Sequence, residues 1–552
     1  MISVKQRFVF LFPCLLCVIQ LPAQEPLKSL EEEYYDFLAL QGVIERPYLN
    51  YRTLSDSVWE TGEDTGHPWT DQNLGTWRHN LRVYGPALFV SYNSVFPYGQ
   101  NDGALWQGKG VNVSLDGGIR FEKYGLELTF KPQLSFSQNQ PFDLMPRSEH
   151  FKSSEYKDKA QDYGYFWREI DLPQRFGNDP FFNYDWGGSE IRYTWKTLTV
   201  GFGTQSIWLG PAYLNAILHS NNAPSYPKID IGLRKQSVTV PWFGWYLGDI
   251  EFRLWVGRLS ESDYYDNDVS NNYTMFHGFA FAYAPSFLPG LTLFVNRTCR
   301  VPWEPENIRY IIPSGQSENI TGDDQKMSFG ASWLFPQAGA EIYGEIGLDD
   351  FVPGKSKGYL RYPLHTMVYT WGLKKAVKIA PSYGVHGELI FEWNTMEVSQ
   401  DYQFQWPSSF YFHGGLRQGY TNRGQLLGSG SGWGGNSQYF AFKLYYPKGV
   451  SSLFIHRNNP DNDFVYSQAI RTGTDYDADL ESKYFTGFKS NLIVGITTDY
   501  FLTNHLCLGG GFAYNLIINP FYFYSDPDKS MKFWQDRYLH NFSLNLMVQY
   551  RY

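Results

Sequence analysis

The last residues of the chain, Asn541 to Tyr552, alternate between apolar and polar side chains. Phe542, Leu544, Leu546, Val548, Tyr550 and Tyr552 fall on one face of an extended strand. Ser543, Asn545, Gln549 and Arg551 fall on the other, with Met547 the one apolar intruder. Strand side chains point to opposite faces with a period of two. A strand that is apolar outside, polar inside and ends on an aromatic closes an outer-membrane β-barrel, and Val548, Tyr550 and Tyr552 form its candidate insertion signal. Taken alone, the segment also fits a half-buried strand of a soluble sandwich.

The same rhythm recurs upstream. Val111, Val113, Leu115, Gly117, Ile119 and Phe121 alternate with Asn112, Ser114, Asp116, Gly118, Arg120 and Glu122. After a turn at Lys123 the pattern resumes through Tyr124, Leu126, Leu128, Phe130, Pro132, Leu134 and Phe136. Charges at every second position are costly in lipid and make sense only toward a hydrated interior. A second tight hairpin runs Ile191-Tyr193-Trp195, turns at Lys196-Thr197 and returns through Leu198-Val200-Phe202. Long polar stretches, Gln138 to Gly188 and Asp401 to Gln438, separate such hairpins. Tight turns alternating with long loops are the barrel pattern, and about ten residues per strand predict roughly 14–18 strands. Leu27 to Leu40 predicts a helix outside the bilayer, on the periplasmic side, with Ser29 as its cap, Glu31 to Glu33 in its first turn and Gly42 at its end.

The N-terminus changes the picture from sheet to exported sheet. Lys5 and Arg7 precede an apolar run from Phe8 to Leu21, then Pro22-Ala23-Gln24. That is a signal peptide over residues 1–23, cut after Ala23. Residues 24–79 form a periplasmic helical lead-in and 80–552 the barrel. Mean hydropathy is −0.38, a value that barrels share with soluble proteins because every second residue faces water. Aromatics make up 18% of the chain, enough for interface girdles and for sugar-stacking surfaces. The formal charge of −9, two units more negative once Lys5 and Arg7 are removed, argues against a nucleic-acid partner. Cys299 and Cys507 remain in the mature chain, far apart, and read as wall residues rather than a redox pair.

Several segments, in order, resemble the Wzi family of outer-membrane capsule-assembly lectins. Tyr35-Asp36-Phe37-Leu38-Ala39-Leu40-Gln41-Gly42-Val43-Ile44 with Arg46-Pro47 is similar to that family's leading helix and its exit. Asn101 to Asn112 (N-D-G-A-L-W-Q-G-K-G-V-N), Trp208-Leu209-Gly210-Pro211 running on to Ser220-Asn221-Asn222-Ala223-Pro224, Glu341-Ile342-Tyr343-Gly344-Glu345, and Gly419-Tyr420-Thr421-Asn422-Arg423-Gly424 leading to Leu427-Gly428 are similar to others. The resemblance implies an all-β fold: one large antiparallel transmembrane barrel of about 18 strands, monomeric, with long extracellular loops. It also implies a non-enzymatic role, retention of capsular polysaccharide by binding it.

Sugar recognition needs flat aromatic faces for the pyranose ring and amides or charges for its hydroxyls. The loop from Phe404 to Tyr439 offers Trp406, Tyr411, His413, Arg417, Tyr420, Asn422, Arg423 and Trp433 among glycines that let backbone approach a ligand. The same loop can instead fold inward and seal the barrel mouth with its aromatics as core. Arg417 and Arg423 suit an acidic polymer, or pair with Glu341, Glu345 or Glu392 across the lumen. Trp106 and Trp208 are candidate sugar platforms or barrel-end packing. Asn221 and Asn222 are candidate contacts in a turn-rich stretch. His219-Ser220 is the one string suggestive of a hydrolase, but neighbouring strand residues face opposite ways. Asp266, Asp268 and Ser270 imitate a calcium loop, with Asn271 where glycine and His277 where glutamate belong. No metal or cofactor is expected. The expected function is binding and retention of capsular or related surface polysaccharide, with membrane lipid and the barrel-assembly machinery as further partners. A porin with an open lumen is the alternative.

Overall fold

In a computed structural model, all residues are described except 1–28, 61–66, 70–71, 73, 75–79, 145–154, 156, 164–169, 312–322, 350–357, 362–364, 399–408, 433, 464–488, 521–537 and 552. Among the described residues, 18 antiparallel strands close into one barrel. In chain order they are β1 (Leu81–Asn93), β2 (Gly110–Lys123), β3 (Leu126–Phe130 and Gln133–Ser137), β4 (Phe181–Asp185 and Glu190–Trp195), β5 (Leu198–Gly203), β6 (Lys228–Thr239), β7 (Tyr246–Ser260), β8 (Tyr273–Pro285) and β9 (Leu291–Pro302). They continue as β10 (Asp324–Phe335), β11 (Ala340–Asp349), β12 (Val368–Ala380), β13 (Val385–Thr395), β14 (Asn436–Tyr446), β15 (Gly449–Asn459), β16 (Ser490–Thr503), β17 (Leu506–Ile518) and β18 (Tyr538–Tyr550). Each strand pairs with its sequence neighbours, and β18 returns to β1 in the register Ala87↔Gln549 to Asn93↔Ser543.

The dyad pattern read from the sequence is the inside–outside pattern of this barrel. Phe542, Leu544, Leu546, Val548 and Tyr550 stand exposed on the outer wall, while Ser543, Gln549 and Arg551 are buried toward the lumen. Ile119 is exposed and Arg120, its neighbour, buried. Short connections lie at one end, none longer than 240–245, and long ones at the other. The first hairpin turns on Tyr124 (φ 54°) and Gly125 (φ 82°) rather than at Lys123, because a two-residue turn with both φ positive matches the twist of the strands. Pro132 lies between the two halves of β3 instead of inside one strand, since proline offers no ladder N–H. Beside the seam, β1 carries a bulge between Tyr84 and Ala87 in its pairing with β2. A Cβ on Gly85 would lie 1.3 Å from the Tyr550 carbonyl oxygen, so only glycine lets the last strand close on the first. Cys299 and Cys507 are buried, free thiols.

The lumen is occupied. Helix α1 (Leu30–Leu40) starts at Ser29, whose side chain accepts the Glu32 N–H. Read from the sequence as a lead-in outside the bilayer, it sits in the short-turn mouth, against inward-facing wall residues. Phe37 stacks on Tyr445 at 4.2 Å and Tyr34 on Trp69 at 3.9 Å. Lys374 holds Asp36 at 2.6 Å, Lys443 holds Glu33 at 2.6 Å and Arg551 holds Glu31 at 3.1 Å. Arg46 then grips Glu341 through both guanidinium nitrogens, at 2.6 and 2.7 Å. Beyond it the chain runs through the interior and Tyr51–Arg52 pairs with Trp208–Leu209 of the inward-folded connection 204–227.

Two wall glutamates hold these strips of backbone. Glu251 accepts the N–H groups of Leu49, Asn50 and Tyr51 at 2.8, 3.0 and 2.6 Å. Glu392 accepts those of Tyr213, Leu214 and Asn215 at 2.5, 3.1 and 2.8 Å. Irregular backbone within a barrel must find such partners or leave buried N–H groups orphaned. An ion chain crosses from wall to plug and back: Glu190–Arg192–Asp230–Arg253–Asp56–Arg234–Glu127–Arg120, each link 2.6–3.0 Å. Its charges alternate and cancel, which is how buried ions are tolerated. An apolar core of Tyr51, Ile217, Leu218, Trp255, Phe276, Phe410, Tyr411 and Tyr420 fills the space above it.

Candidate functional site

The loop from Phe404 to Tyr439 folds inward over much of its described length. Tyr411 stacks on Tyr420 with centroids 5.3 Å apart and planes 9° apart. The Tyr411 hydroxyl donates to the Ile217 carbonyl at 2.7 Å, and the Tyr420 hydroxyl to Leu218 at 2.9 Å. Asn422 donates to the Pro224 carbonyl at 2.9 Å and accepts the Ser260 N–H at 3.0 Å. All three are buried seals between loop and plug. Trp208 is buried too, its indole N–H donating to Ala212 at 3.1 Å. His413 accepts the N–H groups of Gly415 and Leu416 and shapes its own turn. Trp406, Trp433 and Tyr552 lie outside the described residues.

The two arginines do not cross the lumen. Arg417 faces solvent beside Glu155 at 3.7 Å, and Arg423 lies 3.5 Å from Asp185 and donates to Asn183 at 2.7 Å. Glu341 and Glu392, the partners anticipated for them, are taken by Arg46 and by plug backbone. His219 contacts the Tyr226 hydroxyl at 2.8 Å through Nε2, and the Ser220 hydroxyl donates to Gly428 at 2.6 Å, so the two side chains serve different partners. Among the described residues no group of three or more His, Cys, Asp or Glu side chains is placed to hold a metal ion.

What stays open is one side of the lumen at the long-loop end. A cavity of about 590 Å3 lies between the wall β14–β18 with β1 and the plug loops. Trp106 and Asn222, both singled out in the sequence, line it. So do residues that sequence reasoning missed: Asn458, Asn491, Asn515 and Asn545 on successive strands, with Phe454 among them. The missed signal is legible in hindsight of the register. Inward positions of β6–β13 carry Asp230, Glu251, Arg253, Glu341, Lys374 and Glu392; toward the long-loop end, those of β15–β18 carry asparagine. Asn222 is fixed by the Asn101 N–H at 2.7 Å and by its own donation to Gly428 at 2.7 Å. Trp106 stands edge-on to Phe176 at 5.3 Å and forms a ridge to an outer cleft of about 390 Å3, where Arg423, Asn183 and Tyr264 lie. Below, a chamber of about 260 Å3 shares Phe89, Asn101, Asp102 and Leu105 with the cavity, contacts Asn221, and ends on Ser29, Leu30 and Glu33 of the plug helix. Amides that pair with hydroxyls, set among aromatic rings, are what a concave sugar site needs.

Beside the outer cleft, burial pushes the Glu261 carboxyl up to about 9, helped by Asp266 and Asp171, and pushes Asp171 up to about 6 against the Ser262 hydrogen bonds that oppose it. The folded cluster therefore keeps protons that the unfolded chain, with ordinary carboxylates, has shed. Its contribution to stability is full below the ordinary carboxylate range and declines as pH rises through about 6 and then about 9. Limited proteolysis near residues 261–272 is expected to speed up several-fold, relative to Glu261→Gln, between roughly pH 7 and pH 10.

A family model described as capsule assembly protein Wzi matches residues 188–298, the span from β4 to β9 that includes the inward-folded connection. No curated protein sequence matches the chain. Among solved structures, Wzi of Escherichia coli, described as an outer-membrane protein involved in group 1 capsule assembly and a carbohydrate-binding β-barrel, superimposes with a TM-score of 0.56 at 11% identity, covering 97% of this chain and 100% of that one. OprB of Pseudomonas putida gives 0.36 at 11% identity over 85% of this chain and 94% of that one, and OprD of Pseudomonas aeruginosa 0.36 at 9% over 87% and 94%. The matched stretch and the shared closed barrel bear out the resemblance read from the sequence: residues 188–298 match the Wzi capsule-assembly family, and the chain has the fold of that family's outer-membrane β-barrel.

Proposed function

We propose that this protein binds a capsular or related surface polysaccharide and helps hold it at the cell surface. The observation that carries the reading is the long-loop-end cavity, where amides from four neighbouring strands surround aromatic faces. The occupied lumen weighs against a diffusion channel, the alternative, since solute passage needs a continuous water path. Short turns face the periplasm in barrels of this type, so the cavity opens outward to the capsule. Binding at each copy is modest, and the many copies on one cell supply avidity. The signal peptide is removed after Ala23, the last strand with Val548, Tyr550 and Tyr552 addresses the barrel-assembly machinery, and the barrel works as a monomer.

The test is deletion of the gene, with cell-attached and shed polysaccharide measured separately. The expected result is a several-fold shift from attached to shed material at unchanged total, reversed by the intact gene. Unchanged attachment would remove the binding role and leave the barrel standing.

A further inference from the structure

The cavity's charge narrows what it can take. Of its described lining residues, ten carry a side-chain amide and eight an aromatic ring, whereas Lys489 and Asp102 are the only lysine, arginine or acidic side chains. Lys489 packs 4.9 Å from the Phe96 ring centroid, and burial pushes the Asp102 carboxyl up to about 7 although Gln107 and Gln100 hydrogen-bond to it. The guanidinium groups that would meet an acidic sugar are elsewhere. Arg192, Arg253 and Arg120 are locked in the ion chain across the lumen, and Arg417 and Arg423 lie outside beside Glu155 and Asp185.

The polar atoms on offer have a direction. Asn101 donates its amide to the Leu214 carbonyl at 3.1 Å, which turns its Oδ1 away from that partner and leaves the oxygen buried with no donor. The Oδ1 atoms of Asn458 and of Asn515, the latter only 3% exposed, are also buried without donors. Such acceptors are satisfied by groups that give a proton: a hydroxyl or an acetamido N–H. A uronate carboxylate only accepts, and it would lose its hydration in this cavity, where the single cation among the described lining residues, Lys489, is already engaged on the Phe96 ring.

Resting on the reading of this cavity as a polysaccharide site, we infer that it takes an uncharged stretch of the polymer, built of neutral or N-acetylated sugars, and that uronate residues are not what it recognises. The ligand is selected by hydroxyl donors meeting amide oxygens and by ring faces meeting Phe454 and Trp106. Binding is therefore insensitive to salt, unlike an arginine-mediated grip on a polyanion.

The probe is the surface polysaccharide extracted from the cells that make this protein, in native form and after carbodiimide activation and borohydride reduction, which turn uronate carboxyls into primary alcohols. The full-length protein in detergent micelles is titrated with each form at low and high salt. The two forms are expected to bind within about twofold of one another at both salt levels, and Asn515→Leu to weaken both by about tenfold or more. A reduced polymer that binds about tenfold or more weaker than the native one, or native binding that collapses in high salt, overturns the inference while leaving polysaccharide binding in place. Unchanged affinity in Asn515→Leu overturns the cavity as the site. Failure of the intact protein to bind either form removes the function proposed above.

Discussion

Removing residues 24–59 turns a silent barrel into a conducting one. The upper cavity and the lower chamber already share Phe89, Asn101, Asp102 and Leu105, and the chamber ends on Ser29, Leu30 and Glu33. Helix α1 is thus the floor of an otherwise continuous path along β16–β18, β1 and β2. In planar bilayers the full-length protein is expected to show no resolved steps and the truncated one steady open current. Glu33 leaves with the helix, but Asp102, Asp116 and Asp499 remain on the lining of the chamber, so the opened path should prefer cations. A truncated barrel that inserts yet stays silent would mean that the loops alone close the lumen. Steady current through the full-length protein would restore the porin reading.

The second large effect is on stability. Arg192 is fully buried and forks onto Glu190 at 2.8 and 2.9 Å and onto Asp230 at 2.9 and 2.6 Å, with a further bond to Thr199 at 2.9 Å. A Cβ on Gly201 would stand 2.5 Å from its Nη2, so the facing strand has left the guanidinium its room. Arg192→Leu leaves two buried carboxylates with Ser55 and Arg253 as their remaining hydrogen-bond donors. Breaking a buried pair on one side costs about 3–5 kcal/mol. The midpoint of guanidinium unfolding in micelles should fall accordingly. Arg192→Lys should recover only part of it, because an ammonium cannot fork onto two carboxylates. Removing the charges together, as Arg192→Leu with Asp230→Leu, should be less damaging than the summed single changes. A midpoint unchanged in Arg192→Leu would mean that the ion chain contributes nothing to holding wall and plug together.

The barrel was legible because lipid and lumen impose opposite demands on alternate residues. Ile119 and Arg120, or Val548 and Gln549, can satisfy them in only one orientation, and a slip of one residue would put every charge in lipid. Breaks were less legible: Pro132 looked like one more apolar position, and its missing N–H mattered only once β3 had to pair on both sides. The plug was readable as a helix but not in its place, because nothing in the local pattern of Tyr34, Phe37 and Leu38 says that their partners are Tyr445, Trp69 and Phe501. Their positions depend on contacts hundreds of residues apart.

The site was half legible for the same reason. Aromatic and amide richness drew attention to the loop holding Tyr411, Tyr420 and Asn422, yet that composition serves inward packing as well as sugar stacking, and in this loop it seals. Trp106 and Asn222 do line the cavity, but other amides around them come from strands, where single asparagines are inconspicuous until the register sets Asn458 opposite Asn491 and brings Asn515 and Asn545 onto the same curved wall. The arginines misled in a different way. A free guanidinium suggests a polyanion, but local carboxylates at Glu155 and Asp185 were near enough to engage both.

The most direct measurement fills the cavity and counts the capsule. Ala513 lies on the inner face of β17, buried at the cavity wall and away from the plug helix. Ala513→Trp puts an indole where the glycan would lie. In the gene-deleted strain carrying this variant, folded and inserted at normal levels, polysaccharide is expected to be shed as in the deletion itself, while Arg417→Ala retains it like the intact protein. Full retention by a correctly inserted Ala513→Trp barrel would contradict the account.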